Sequence, residues 1–154
     1  MLLERLPLDQ PLEHWLVTWS LVGEAFDTLR AYAEEMRFGA GDIIFGQGDP
    51  SDGMYLILEG MALIFTTDTT GGERALSLVT EGQSFGELGL LTGQPRNASV
   101  AAGLDVRLLK ITPDALARLE TEQPELVMRI YKSLAQTLAE QWIRVGPWAR
   151  NNDR

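Results

Sequence analysis

The sequence contains no cysteine and a single histidine, His14. The absence of cysteine excludes disulfide bonds, thiolate catalysis and cysteine-ligated zinc, and one histidine cannot build a cluster of metal ligands. A serine–histidine–aspartate triad has His14 as its one candidate base. Because His14 lies between Glu13 and Trp15, we interpret it as a surface or interface residue. Metal-dependent and nucleophilic catalysis are therefore not expected.

Long apolar runs and an excess of basic residues are also missing. No stretch approaches the roughly 18 apolar residues that indicate a membrane span, and Met1–Arg5 lacks the pattern of a secretory signal. We therefore expect a cytoplasmic protein. Lys and Arg number 13 against 22 Asp and Glu, which gives a net charge of −9. Because such a surface repels a phosphate backbone, we expect no direct binding to nucleic acid by this chain.

The 154 residues, of which 45% are hydrophobic, predict one folded domain over residues 1–154. Its first zone, 1–37, is predicted to be helical, with Ser20 as a helix N-cap. An apolar stripe supports this interpretation and comprises Leu21, Phe26, Leu29, Ala33 and Met36. The tryptophans Trp15 and Trp19 are interpreted as hydrophobic anchors, with docking onto a partner domain as the alternative.

The second zone, 38–111, is divided into short segments by glycine. Six β-prone runs lie between the glycines: Ile43–Phe45, Met54–Leu58, Ala62–Thr66, Ala75–Val79, Ala98–Ala101 and Val106–Ile111. Short strands with this spacing predict an antiparallel sandwich or barrel. Asp49–Gly53 is predicted to be a turn, Glu59 and Gly60 a tight hairpin, and Asp68–Gly72 the tip of a longer hairpin.

The third zone, 112–145, is predicted to form two helices. Thr112 caps the first helix with Pro113 following it, and Pro124 opens the second. Gly146 and Pro147 are predicted to end the second helix, which leaves 146–154 as a polar tail. The apolar stripe of this helix indicates core packing. A short dimer seam is the alternative, because a seven-residue step relates Tyr131, Leu138 and Val145.

The chemically informative segment runs from Phe85 to Val100. Gly86 lets backbone approach a ligand closely, and the residues after it are long enough for one helical turn, whose free N–H groups favour an anion. The donors of Arg96 suit a phosphate, whereas an ionised Glu87 only accepts and suits a hydroxyl group. A sugar phosphate carries both of these groups. An ion pair between Arg96 and Glu87 is the structural alternative.

This segment resembles the phosphate-binding cassette of the cyclic nucleotide-binding domain family. The resemblance rests on Phe85-Gly86-Glu87-Leu88, on Pro95-Arg96 and on Ala98-Ser99. Upstream, Phe38–Ile44, Gln47–Asp49 and Tyr55–Gly60 also resemble the family. The resemblance implies an α+β fold, namely an antiparallel β-roll of double-stranded β-helix or jelly-roll type. An N-terminal helical segment, a short helix in the cassette and two C-terminal helices complete that fold.

The resemblance also implies a ligand site. Arg96 is expected to bind the exocyclic oxygens of a cyclic phosphate, and Glu87 the ribose 2′-hydroxyl. Backbone N–H groups near Gly86–Leu88 and Asn97–Ala98 are expected to complete the phosphate site, the strand 75–79 to contact the base, and the last helix to act as a lid. The full set of expected ligand-binding residues is Phe85, Gly86, Glu87, Leu88, Arg96, Asn97, Ala98 and Ser99. Trp142 and Tyr131 are alternative residues for stacking on the base.

The resulting prediction is a non-enzymatic regulatory sensor whose ligand is cAMP or cGMP, with cAMP favoured, and which uses no catalytic cofactor. The alternative is a degenerate domain that binds no nucleotide and serves in interaction or dimerisation. Only nine residues follow Val145, so a downstream helix-turn-helix domain is not expected in this chain. The remaining expected partners are a second copy of the chain or an attached effector or transporter domain.

Overall fold

The computed structural model describes residues 24–151. Its elements in chain order are α1 (Glu24–Tyr32), β1 (Glu34–Phe38), β2 (Ile43–Phe45), β3 (Met54–Glu59), β4 (Ala62–Thr67), β5 (Glu73–Val79), β6 (Ser84–Phe85), α2 (Glu87–Thr92), β7 (Ser99–Ala102), β8 (Val106–Ile111), α3 (Pro113–Glu122) and α4 (Pro124–Asn151). The predictions for His14, Trp15, Trp19 and Ser20 lie outside the described residues. Within 24–151, no helix combines the length and the apolar character that crossing a membrane requires.

The strands form two four-stranded sheets. One sheet has the order β1-β8-β3-β6 and the other the order β2-β7-β4-β5. Every neighbouring pair in both sheets is antiparallel. This arrangement confirms the predicted antiparallel β-roll with accompanying helices.

The central strand β3 is buried on both of its faces. Tyr55 and Ile57 point into the interior between the two sheets, where they pack with residues of the opposite sheet such as Val100. Met54 and Leu56 point the other way and pack against α1, α3 and α4. Alternate side chains of a strand point to opposite faces, so one continuous apolar run serves two cores. The helices therefore cover the outer face of the β1-β8-β3-β6 sheet.

The six predicted strands are present, with ends shifted by at most two residues. The helical prediction for 1–37 is wrong at its end, because 34–38 form β1. This strand pairs with β8 over five residues, from Glu34 opposite Lys110 to Phe38 opposite Val106. Met36 belongs to this strand and not to the helical stripe. Sheet pairing overrides a local helical period where a partner strand is available.

The predicted tight hairpin at Glu59 and Gly60 is also wrong, because β3 and β4 belong to different sheets. The chain crosses between the sheets at Gly60, which has a φ of +93°. A Cβ atom at Gly60 would lie 2.2 Å from the carbonyl oxygen of Asp105. Positive φ and close backbone packing therefore explain the glycine, whereas strand pairing does not. The predicted hairpin tip at 68–72 does connect the paired strands β4 and β5.

The C-terminal helices begin where the sequence predicts. The Thr112 hydroxyl caps α3 by accepting from the Ala115 N–H at 3.1 Å. Leu126, Val127, Ile130 and Leu134 of α4 are buried, which confirms core packing for this part of the stripe. The predicted helix end at Gly146 and Pro147 is wrong, since α4 continues to Asn151. A proline inside a helix can kink it without ending it, so Pro147 is not by itself a helix end.

Candidate functional site

A cavity of about 360 Å³ lies beside α2. Its lining comes mostly from residues 84–89 and 92–98, so the segment that the sequence singles out surrounds most of it. Phe45, Ile64 and Val100 contribute apolar side chains from the β2-β7-β4-β5 sheet, and Leu134 and Leu138 contribute from α4. The volume is within the range of cavities that bind small molecules.

Gly86 joins β6 to α2 in a left-handed conformation, with a φ of +81°. A Cβ atom there would lie 2.8 Å from Nη1 of Arg96. The Gly86 carbonyl oxygen accepts a hydrogen bond from the same Nη1 at 3.1 Å. The glycine therefore allows the backbone turn and also leaves room for the arginine.

Arg96 is buried at the cavity, and its side chain is only 2% exposed. Its Nη2 donates to the Gly53 carbonyl oxygen at 2.6 Å and to Oδ1 of Asp52 at 3.2 Å. Its Cζ lies 4.0 Å from the centroid of the Phe45 ring. These contacts fix the guanidinium group in one orientation against an aromatic face.

The Nε atom of Arg96 is buried and has no hydrogen-bond partner in the described part of the chain. A buried donor without an acceptor costs about 1–3 kcal/mol. Arg96 itself lines the cavity, so an anion there would pair with its buried positive charge and could accept from a guanidinium donor. The arrangement is thus chemically suited to a phosphate.

Asp52 connects Arg96 to Lys110 of β8. Oδ2 of Asp52 accepts from Nζ of Lys110 at 2.6 Å. Partial burial disfavours the ionised carboxyl, but the hydrogen bond and charge of Lys110, together with the charge of Arg96, hold the pKa of Asp52 below its usual range. The local sequence predicts only a turn at Asp52 and does not indicate this role, because the partners of Asp52 are 44 and 58 residues away in the chain.

Glu87 is the first residue of α2 and lines the cavity. The Ser84 hydroxyl donates to Oε1 of Glu87 at 2.6 Å. Burial raises the pKa of Glu87, while the Ser84 hydrogen bond and the charge of Arg96 act in the opposite direction. The alternative of a structural ion pair between Glu87 and Arg96 is not what the structure shows, since the acidic partner of Arg96 is Asp52.

Seven of the eight predicted site residues line the cavity: Phe85, Gly86, Glu87, Leu88, Arg96, Asn97 and Ala98. Ser99 is buried and absent from the described lining, and its Oγ accepts from the Gln47 N–H at 2.8 Å. Asn97 is exposed at the edge of the cavity. The structure therefore brings the predicted group together except for Ser99.

The apolar wall differs from the prediction. Among the described residues that line the cavity, none comes from the strand 75–79; Val79 instead packs in the interior between the sheets. The hydroxyl of Tyr131 donates to Glu120, and Tyr131 does not belong to the described lining, whereas Leu134 and Leu138 do. The side chain of Trp142 lies outside the described part of the structure. Phe45 and Ile64 are not predictable as lining residues from the sequence, because only the three-dimensional arrangement of the strands brings them to the cavity.

A β-roll with a buried arginine beside a helix-covered cavity defines a small-molecule-binding domain. Comparison with known proteins makes the class specific. A family model described as "Cyclic nucleotide-binding domain" matches residues 35–122. The chain therefore belongs to the cyclic nucleotide-binding domain family.

Individual relatives support this assignment. The chain is 32% identical over 132 residues to a cAMP-dependent protein kinase regulatory subunit of Dictyostelium discoideum, a match that covers 86% of this chain and 40% of the relative. It is 32% identical over 120 residues to the cyclic AMP receptor protein of Thermus thermophilus, covering 78% of this chain and 56% of the relative. The chain thus spans about half the length of these relatives.

A solved structure of similar size also matches. It is a cyclic nucleotide-binding domain from Methylobacillus flagellatus, with a TM-score of 0.72 and 27% identity. The match covers 88% of this chain and 83% of that structure. The agreement therefore extends over most of both chains.

Proposed function

We propose that this chain binds a cyclic nucleoside monophosphate, cAMP in preference to cGMP, as a regulatory sensor domain. The observation that carries the proposal is the buried, cavity-lining Arg96, whose Nε has no partner among residues 24–151. A guanidinium group in such a place favours a ligand that carries a phosphate. The preference for cAMP is supported by the matched relatives, whose names refer to cAMP.

In the proposed complex, Arg96 donates to the exocyclic oxygens of the cyclic phosphate. Backbone N–H groups near Gly86–Leu88 and Asn97–Ala98 add further donors. Glu87 accepts from the ribose 2′-hydroxyl, and because Ser84 already donates to Oε1, the ribose contact falls to Oε2. Ser84 then orients the Glu87 carboxylate that binds the ribose hydroxyl.

The apolar part of the cavity is the proposed position of the base. Ile64 and Val100 lie on the sheet side, and Leu134 and Leu138 lie on the helix side. Contact with α4 gives the ligand a way to change the balance between helix positions, because a ligand favours the conformation that it binds better. Movement of α4 is therefore the proposed output, with a second copy or an attached effector or transporter domain as its receiver.

We propose no catalytic activity for this site. Nucleotide hydrolysis by side chains would require a positioned acid–base pair, and Glu87 is one carboxyl group already engaged by Ser84. The alternative function is a domain that retains the fold and binds no nucleotide. The unpaired Nε of Arg96 favours the binding function over this alternative.

Calorimetric titration of cAMP and cGMP tests the proposal. The protein is unfolded and refolded beforehand so that nucleotide retained from the cells is removed. Saturable binding is expected for the wild type and a strong loss for Arg96→Ala, while Arg37→Ala, an exposed arginine on β1, serves as the matched control. At a ligand concentration of 100 Kd, stabilisation by about 2.7 kcal/mol is expected. If neither nucleotide produces binding heat or stabilises the protein, the non-binding alternative is established.

A further inference from the structure

Two cations share the carboxylate of Asp52, in the loop before β3. One oxygen accepts from Lys110 at 2.6 Å and the other from Arg96 at 3.2 Å. Arg96 lines the cavity, whereas Lys110 is absent from its described lining. Asp52 therefore connects a lysine outside the cavity to the arginine that faces the proposed phosphate.

The three side chains differ in their freedom to move. Arg96 is fixed by the carbonyl oxygens of Gly86 and Gly53, and the Lys110 side chain is only 14% exposed. Asp52 is 61% exposed, so its carboxylate can rotate. The shorter contact, to Lys110, limits that rotation and leaves one longer contact to Arg96.

We propose that Lys110 is a positioning residue that raises the affinity of the cavity for phosphate by holding one oxygen of the Asp52 carboxylate away from Arg96. This inference rests on the proposed function. Without Lys110, Asp52 can turn both oxygens towards Arg96. A two-point carboxylate–guanidinium pair then forms and competes with the phosphate for the same cation.

The charged states of Lys110 and Asp52 support this arrangement. Burial opposes ionisation of Lys110, but its hydrogen bond to Asp52 and the charges around it outweigh burial and raise the pKa of Lys110. The pKa of Asp52 is correspondingly lowered. Both groups are therefore charged at neutral pH, so the ion pair between them is present at the pH of the binding experiments.

A double-mutant cycle tests the inference by calorimetric titration of cAMP and cGMP into four proteins: wild type, Lys110→Gln, Asp52→Asn and the double variant. Lys110→Gln is expected to weaken both nucleotides about three- to tenfold. Asp52→Asn is expected to bind at least as tightly as the wild type, since the amide oxygen still accepts from Arg96. The double variant is expected to bind within about twofold of Asp52→Asn, because the effect of Lys110 passes through Asp52.

Further variants separate positioning from general charge and from folding. Lys110→Arg is expected to restore most of the affinity, and Lys132→Gln, an exposed lysine on α4, to leave it unchanged. If Lys110→Gln does not fold, Lys110→Met provides the same comparison with a similar apolar stem. An equal loss on removing Lys110 in the Asp52→Asn background, or weaker binding by Asp52→Asn, overturns the inference.

Titration of the wild type distinguishes failure of the positioning role of Lys110 from failure of the proposed nucleotide binding. Wild-type binding together with an unchanged affinity for Lys110→Gln overturns the positioning role alone. Absence of wild-type binding to either nucleotide overturns the proposed function, and the inference with it.

Discussion

Arg96 combines burial, a fixed orientation and an unpaired donor in one side chain. Its guanidinium group donates to two backbone carbonyl oxygens and a carboxylate on one side. Its buried Nε has no partner in the described structure. A planar group with several donors can meet protein acceptors and a phosphate together, which a lysine ammonium cannot do with the same geometry.

We therefore expect Arg96→Lys to retain the positive charge and still lose affinity for the cyclic nucleotide by about 10- to 100-fold, because an ammonium group does not reproduce the planar donor geometry of the guanidinium. Calorimetric titration measures the change. Arg37→Lys, on the exposed face of β1, is the matched control with no expected effect. Binding by Arg96→Lys with wild-type affinity would show that charge alone suffices.

Glu87 is expected to favour binding at the expense of stability. Burial raises its pKa, so the folded protein binds a proton at Glu87 more strongly than the unfolded chain does. Stability from this group is therefore lost as pH rises from the unfolded pKa through the folded pKa. Glu87→Gln removes the buried charge and keeps an oxygen that accepts from Ser84.

The ligand-free Glu87→Gln variant is accordingly expected to be more stable than the wild type at pH 7, with the difference shrinking as pH falls and Glu87 becomes protonated. Its affinity for cyclic nucleotide is expected to fall about tenfold, the cost of losing a charged acceptor. Urea unfolding at several pH values and calorimetry measure the two effects. A variant that is less stable at pH 7 would contradict the buried charge.

The sequence reveals the central pair of residues more readily than their surroundings. Arg96 and Glu87 can be predicted because a short motif contains both of them, together with the glycine that permits the turn. Asp52 and Lys110 belong to separate elements and meet only when β3 and β8 pair. Ser99 lies within the motif, but its hydroxyl contacts Gln47 in the fold, which local sequence does not indicate.

At the scale of elements, the turn into α2 requires Gly86 for two independent reasons. Its φ of +81° disfavours any other residue, and a Cβ atom would press on Arg96 at 2.8 Å. Gly82 has a similar φ of +78°, but a Cβ atom at Gly82 would have no described neighbour within 4 Å beyond the adjacent residues of the chain. The two glycines therefore separate backbone strain from side-chain collision.

Gly82→Ala is expected to cost about 1 kcal/mol of unfolding free energy and to leave nucleotide affinity unchanged. Gly86→Ala is expected to cost more and to weaken binding at least tenfold, because Arg96 must move. Denaturant unfolding and calorimetry on both variants measure these effects. Equal binding by the two variants would show that Arg96 tolerates displacement.

Helix and strand identities were predictable where local chemistry decides them. Thr112 followed by Pro113 marks the start of α3, and glycine-bounded β-prone runs mark six of the strands. The strand β1 was not predictable as a strand, since its residues extend a helical stripe and gain their pairing from β8, far along the chain. The crossing at Gly60 is also not predictable from the local sequence, because strands adjacent in the chain need not share a sheet.

At the scale of the whole molecule, α4 connects the core to the cavity. Leu134 is buried in the helix–sheet core and also lines the cavity. Leu126, on the same helix, is buried in the same core and absent from the described lining. One helix thus carries both a purely structural leucine and a leucine that faces the proposed ligand.

We expect Leu126→Ala and Leu134→Ala each to cost about 2–5 kcal/mol of unfolding free energy, because both create cavities in the core. Only Leu134→Ala is expected to lower nucleotide affinity, by about three- to tenfold, through lost apolar contact. Unfolding and titration are compared at a temperature where both variants are folded. Equal affinities would remove Leu134 from the ligand site.

The central claim is that Arg96 Nε donates to the phosphate of a bound cyclic nucleotide. The most direct measurement is the NMR signal of that N–H group, assigned by its loss in Arg96→Lys, during titration with cAMP and separately with adenosine, which has no phosphate. The account predicts a large shift with cAMP, characteristic of a new charged hydrogen bond, and little change with adenosine. An Nε–H signal that does not move while cAMP saturates the protein would contradict the account.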